Sequence, residues 1–261
     1  MKIEDGLITV TISLTNVHFT QAIDNYLEAV DYAKTSSRAY NWIRSKYNSI
    51  SSIIHSYSAL ESVVSETGHS LFFATKSHLY VPAQQRNYTL RKTISNWQNT
   101  TCIDKLSIIM EQLSGTAMDD RVLTRLRELN NLRNWLVHGF VFESILLLQE
   151  NADFSENNQT YTLEDREDTV DWRKKFPNTK FNPLDEIDAT DARKALEIAL
   201  SVVLGIFKFK KREMFVLSNY HYGAFYLILD STLDGEKALD LYISEATAKS
   251  GGGAERQQDD A

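Results

Sequence analysis

Arg133, Asn134 and His138 lie in the run Leu132-Arg133-Asn134-Trp135-Leu136-Val137-His138-Gly139. Histidine gives and takes protons near neutral pH. Arginine keeps its charge and forks onto phosphate. Together the two can cut an RNA backbone without a metal: the imidazole takes the 2′-hydroxyl proton while the guanidinium offsets charge on the phosphate oxygens. The same residues have plainer uses. A cationic side chain followed by glycine is also a favourable helix end, and Arg133 can serve as a structural partner for a carboxylate.

The helix that carries them is predicted over 119–138. Leu126, Leu129, Leu132 and Leu136 form its inward face, and Arg127, Asn131, Asn134 and His138 a polar stripe opposite. Arg133 lies one position from that stripe, so it and His138 reach a shared cleft if the helix loosens at Gly139.

A second helix is predicted over 37–66, capped by Ser36 or Ser37. Its apolar stripe is Ile43, Tyr47, Ile50, Ile54, Tyr57 and Val64, widened by Ile53 and Leu60. Glu61 interrupts that seam. A carboxylate there is costly unless paired, so it asks for an arginine or histidine from a facing helix, with Arg133 and His138 as candidates.

The remaining elements are read more coarsely. Alternation over 7–14 predicts a strand, followed by a helix over 19–34. A helix over 102–113 begins at a Thr101/Asp104 capping box and stops at Ser114-Gly115. Residues 140–149 and 160–163 suggest a β-hairpin, 164–187 a long surface loop, 189–207 an alanine-rich buried helix, and 237–247 a short helix. Residues 214–230 are aromatic and apolar, without a clear period. The expected organisation is a single mainly α domain over 1–248, with an N-terminal strand and a loop insertion at 150–187, and a disordered tail over 249–261.

Composition narrows the function classes. With 261 residues and 43% hydrophobic content the chain can bury a sizeable core. A net charge of −7 gives no global attraction for nucleic acid, so any RNA contact needs a local basic patch. Arg127 and the run Lys208, Lys210, Lys211, Arg212 are the candidates, although such a run is more ordinarily a solvated helix end. One cysteine, Cys102, excludes an intrachain disulfide and makes a cysteine-based zinc site unlikely to form. There is no H-E-x-x-H, P-loop, G-x-S-x-G or G-x-G-x-x-G. No metal or cofactor is expected. The opening residues lack a signal-peptide core and no apolar run reaches membrane length, which points to the cytoplasm.

The helix IIHSYSALESVV and the later helix ending in RNWLVHG resemble the HEPN superfamily, whose marker is Arg-x4-6-His, often Arg-Asn-x3-His. Arg133, Asn134 and His138 match the stricter form, and the resemblance covers roughly 37–140 and 188–210. It implies a helical bundle, here with a small appended β element, that forms a homodimer and joins two motifs across the interface. It also implies a metal-independent endoribonuclease of the toxin–antitoxin or antiviral-defence kind. Arg133 and His138 become the catalytic pair and Asn134 a supporting polar group, while Glu61, from the seam argument, orients one of them. RNA is the substrate and a regulatory or antitoxin protein a possible partner. Phe140 stands where many toxins of the family have the tyrosine of His-x-Tyr, so modification of that tyrosine cannot occur here. A non-catalytic RNA- or nucleotide-binding module, or a regulatory subunit of a defence complex, is the alternative.

Overall fold

The computed structural model describes residues 2–4, 7–9, 14–35, 39–73, 97–116, 118–138, 175–184, 186–209, 214–219, 225–230 and 233–254. Among them are six α-helices: α1 (Thr15–Lys34), α2 (Ala39–Gly68), α3 (Cys102–Ser114), α4 (Asp120–His138), α5 (Ala189–Phe207) and α6 (Gly235–Ala254). Two short antiparallel pairs accompany them, β1 (Lys2–Glu4) with β2 (Leu7–Thr9), and β3 (Met214–Asn219) with β4 (Phe225–Asp230). In the second pair Met214 faces Asp230 and Asn219 faces Phe225. The fold is mainly α, and the described helices share one hydrophobic core. None of them is long and apolar enough to cross a membrane.

The α1–α2 hairpin is built on small residues. Ser45, Ser49, Ser52 and Ser56 line the buried face of α2. Ser45 Oγ donates to the Ala29 carbonyl at 2.8 Å, and Ser52 Oγ to the Ala22 carbonyl at 2.7 Å. Without long side chains between them, the two backbones come close enough for serine to bridge directly. This changes the apolar stripe expected on α2. Its carboxyl-terminal half is core, with Ile53, Tyr57, Leu60, Val63 and Val64 buried, but Ile43 and Tyr47 face outward. The reason is that α1 takes the serine face at that end, leaving the bulky residues outside.

The helix ends follow local chemistry. Thr101 Oγ1 accepts from the Asp104 amide at 3.2 Å, and Gly115, at φ 73°, closes α3 by donating to the Glu111 carbonyl. Asp188 and Asp191 form a reciprocal capping box at the start of α5. Gly68 ends α2 against Trp97, whose ring a Cβ would overlap.

Several sequence expectations shift. Of the strand expected over 7–14, Leu7–Thr9 is a strand paired with Lys2–Glu4 and residues 10–13 lie outside the described residues, while α1 begins at Thr15 rather than 19. The surface loop expected up to 187 is instead packed at its end: Phe176, Phe181 and Ile187 are buried. Glu128, overlooked between two core leucines, secures this segment. Its carboxylate accepts from the Asn178 amide (3.2 Å), Asn178 Nδ2 (2.6 Å), the Thr179 amide (2.8 Å) and Thr179 Oγ1 (2.6 Å). Helix α6 runs on through Gly251–Gly253 to Ala254, residues that composition assigns to the tail. The hairpin expected over 140–163, the caps Ser36 and Ser37, and residues 255–261 lie outside the described residues.

Candidate functional site

Tyr57 and Glu61 are one turn apart on α2, so they share a face. That face looks onto α4 and the start of α3. Arg133 crosses from α4 to meet it: Nη2 lies 3.3 Å from Glu61 Oε2. Nη1 donates to Asn134 Oδ1 at 2.9 Å, and the guanidinium carbon sits 5.3 Å from the centre of the Tyr57 ring. The Arg133 side chain is 23% exposed and that of Glu61 41%. Arg133 Nε is buried and has no hydrogen-bond partner among the described residues. The guanidinium is thus fixed by a carboxylate, an amide and an aromatic face, each engaging it from a different side.

Beside it, the Tyr57 hydroxyl and the Cys102 thiol are neighbours close enough to affect each other's ionisation. Burial, with smaller contributions from Cys102 and Glu61, holds the Tyr57 hydroxyl far above the ordinary phenol range. Burial first, and then Glu61, pushes the Cys102 thiol up to about 12. Both groups therefore stay protonated at neutral pH and support the ion pair as neutral neighbours. By its place in the apolar stripe Tyr57 reads as core and nothing more. Its position four residues before Glu61 is the signal of a further role.

His138 is the last residue of α4 and is exposed. Helix geometry puts it about 7.5 Å farther along the axis than Arg133 and about 140° around it. Residues up to His138 are helical, so the loosening that would swing both into one cleft does not occur before Gly139, which lies outside the described residues. The structure therefore joins Glu61, Arg133 and Asn134, and sets His138 apart from them at the helix end.

The basic residues do not gather into one described patch. Arg127 is exposed on α4 and Lys208 is exposed at the end of α5, while Lys210, Lys211 and Arg212 lie outside the described residues. Trp135, between Arg133 and His138, packs edge-on against Phe176 at 5.3 Å between ring centres, so the 175–181 segment braces the carboxyl-terminal turns of α4. A further polar contact joins α1 to α2, where His18 Nδ1 lies 3.1 Å from His55 Nδ1. No group of three or more metal-ligating side chains forms among the described residues.

Comparison with family models, characterised proteins and solved structures finds no match to this chain.

Proposed function

We propose that this chain is a metal-independent endoribonuclease of HEPN type, acting in a bacterial defence or toxin–antitoxin system. It cuts RNA by attack of the 2′-hydroxyl on the adjacent phosphorus. His138 takes the hydroxyl proton, and a second His138 or a water protonates the leaving 5′-oxygen. Arg133 offsets the charge on the phosphate oxygens, with Asn134 and Glu61 as the residues that position it.

The observation that carries this reading is the ordered Glu61–Arg133–Asn134 contact on the helix whose last residue is an exposed His138. Arginine and histidine leave α4 in different directions, so one copy cannot easily close both on a single phosphate. Two copies meeting at the ends of α4 can, which makes a composite homodimer site the arrangement in keeping with the geometry. A regulatory or antitoxin protein would restrain such an enzyme.

The test is RNA cleavage in EDTA by wild type and His138→Ala at matched, size-checked concentrations. The expected result is 2′,3′-cyclic phosphate ends from wild type alone, and full activity in His138→Ala would refute the assignment. One observation favours a second reading: Arg133 is already engaged on three sides. If RNA is bound and left intact, the chain is a non-catalytic module of a defence complex.

A further inference from the structure

From Tyr32 to Leu60 the chain contains Lys34, Arg38, Arg44 and Lys46 and no carboxylate, although acidic residues outnumber basic ones 35 to 28 overall. The first turns of α2 fall in this window. Tyr40, Trp42 and Tyr47 are 57%, 56% and 64% exposed there. Tyr40 and Tyr47, with Ile43 between them, occupy one stripe at helical spacing, and Trp42 stands on its flank. Cations accompany two of the rings. Arg44 lies with its guanidinium carbon 5.1 Å from the Tyr40 ring centre and donates from Nε to Tyr40 Oη at 2.7 Å, and Lys46 Nζ is 5.4 Å from the Trp42 ring centre. On the facing helix Asp31 is paired with Lys34 at 3.3 Å, and Glu28 accepts from Asn48 Nδ2 at 3.1 Å.

Exposed aromatic rings in such number mark a binding surface. Its charge decides between occupants. In a two-fold contact between copies the patch meets its own image. Arg44 and Lys46 would then oppose Arg44 and Lys46, with the carboxylates of the facing helix, Glu28 and Asp31, already engaged by Asn48 and Lys34. A polyanion with flat π faces fits better, because its phosphates take the cations and its bases the rings.

We infer that the first turns of α2 form a docking platform for single-stranded RNA, in which Tyr40, Trp42 and Tyr47 stack bases and Arg44 and Lys46 contact phosphates. The choice of RNA as the strand rests on the ribonuclease reading. Glu61 is fourteen residues beyond Tyr47 on the same helix, about 21 Å along its axis, so a strand held here runs some nucleotides away from the Arg133 site.

The experiment uses the full chain and a fluorescent 2′-O-methyl oligouridine 12-mer, which cannot be cut and so separates binding from cleavage. Anisotropy is read for wild type, for Tyr40→Ala/Trp42→Ala/Tyr47→Ala and for Arg44→Gln/Lys46→Gln, with circular dichroism to show that the fold is kept. Wild type is expected to bind more weakly as salt rises. The aromatic variant loses roughly tenfold in affinity per stacked ring, and the charge variant shows a shallower salt dependence. Failure of wild type to bind at low salt overturns the platform, as does equal binding by all three proteins. Conversion of a wild-type dimer to a monomer by the aromatic changes also overturns it and assigns the face to a second copy. In each of those cases, His138-dependent cleavage in EDTA would leave the ribonuclease reading intact, so the two failures are distinguishable.

Discussion

Glu61 Oε2 and Arg133 Nη2, 72 residues apart in the chain, lie 3.3 Å from each other and turn the guanidinium toward α2 rather than toward His138. A pair this exposed adds little to folding, about 0–1 kcal/mol. Glu61→Gln should therefore leave the urea midpoint nearly unchanged. On the ribonuclease reading it should lower kcat for RNA cleavage by roughly 10²-fold, because the guanidinium loses its anchor. A large loss of stability with unchanged turnover would make the contact structural.

Glu128 should behave in the opposite way. Its two oxygens satisfy four donors in a buried position. Glu128→Ala strands the Asn178 and Thr179 amides and should cost roughly 3 kcal/mol in urea denaturation. Glu128→Gln, which keeps one acceptor oxygen, should cost less. Equal midpoints for wild type and Glu128→Ala would show that the 175–181 segment is not held by this carboxylate.

The histidine pair gives a pH dependence with a definite sign. At 3.1 Å one Nδ1 must donate and the other accept, so the bond does not survive when both rings are protonated. Burial, and then His18, lowers the His55 pKa below its ordinary 6.5. The unfolded chain thus takes up a proton at higher pH than the folded one. This contribution to stability is full above about 6.5 and is lost as pH falls from there through the lowered folded value. Urea midpoints measured from pH 7.5 down to 4.5 should decline more in wild type than in His55→Gln. Parallel curves would remove the pair from the account.

Cys102 offers a direct probe of the site, since it is the only thiol in the chain. With its pKa pushed up to about 12, the reactive thiolate is scarce at pH 8. Alkylation by iodoacetamide should be roughly 10²–10³-fold slower in the folded protein than in urea. Arg133→Ala, by uncovering the Tyr57 ring above it, should speed the folded-state reaction. Labelling at the unfolded rate in native protein would contradict a partly buried thiol with a raised pKa.

The parts of the fold that were legible in the sequence are those where local chemistry and packing agree. Helix α5 matches its expected bounds at 189 and 207, because alanine and aliphatic residues favour both helix and burial and Asp188 fixes the start. Helix α3 was readable from its capping box for the same reason. The outward face of early α2 was not, since periodicity identifies an apolar stripe but not its occupant, and α1 prefers the serine face opposite. Glu61 stood out as a charge in an apolar seam. Glu128 did not, because its partners come from a segment about 50 residues away whose burial no local pattern announces. The separation of Arg133 from His138 follows from helix geometry once α4 is seen to run unbroken to its end.

The serine seam has a mechanical consequence. Ser45 and Ser52 are seven residues apart, and so are the alanines whose carbonyls they reach, Ala29 and Ala22. A slip of one residue would turn bulky side chains into the narrow gap. The next alignment that sets small against small is four residues away, with Ser49 and Ser56 in place of Ser45 and Ser52, about 6 Å along the axis. The hairpin therefore works as a latch with widely spaced notches and cannot creep. Any signal that travels along α2 toward Glu61 has to do so by tilting or bending α1 and α2 as one lever.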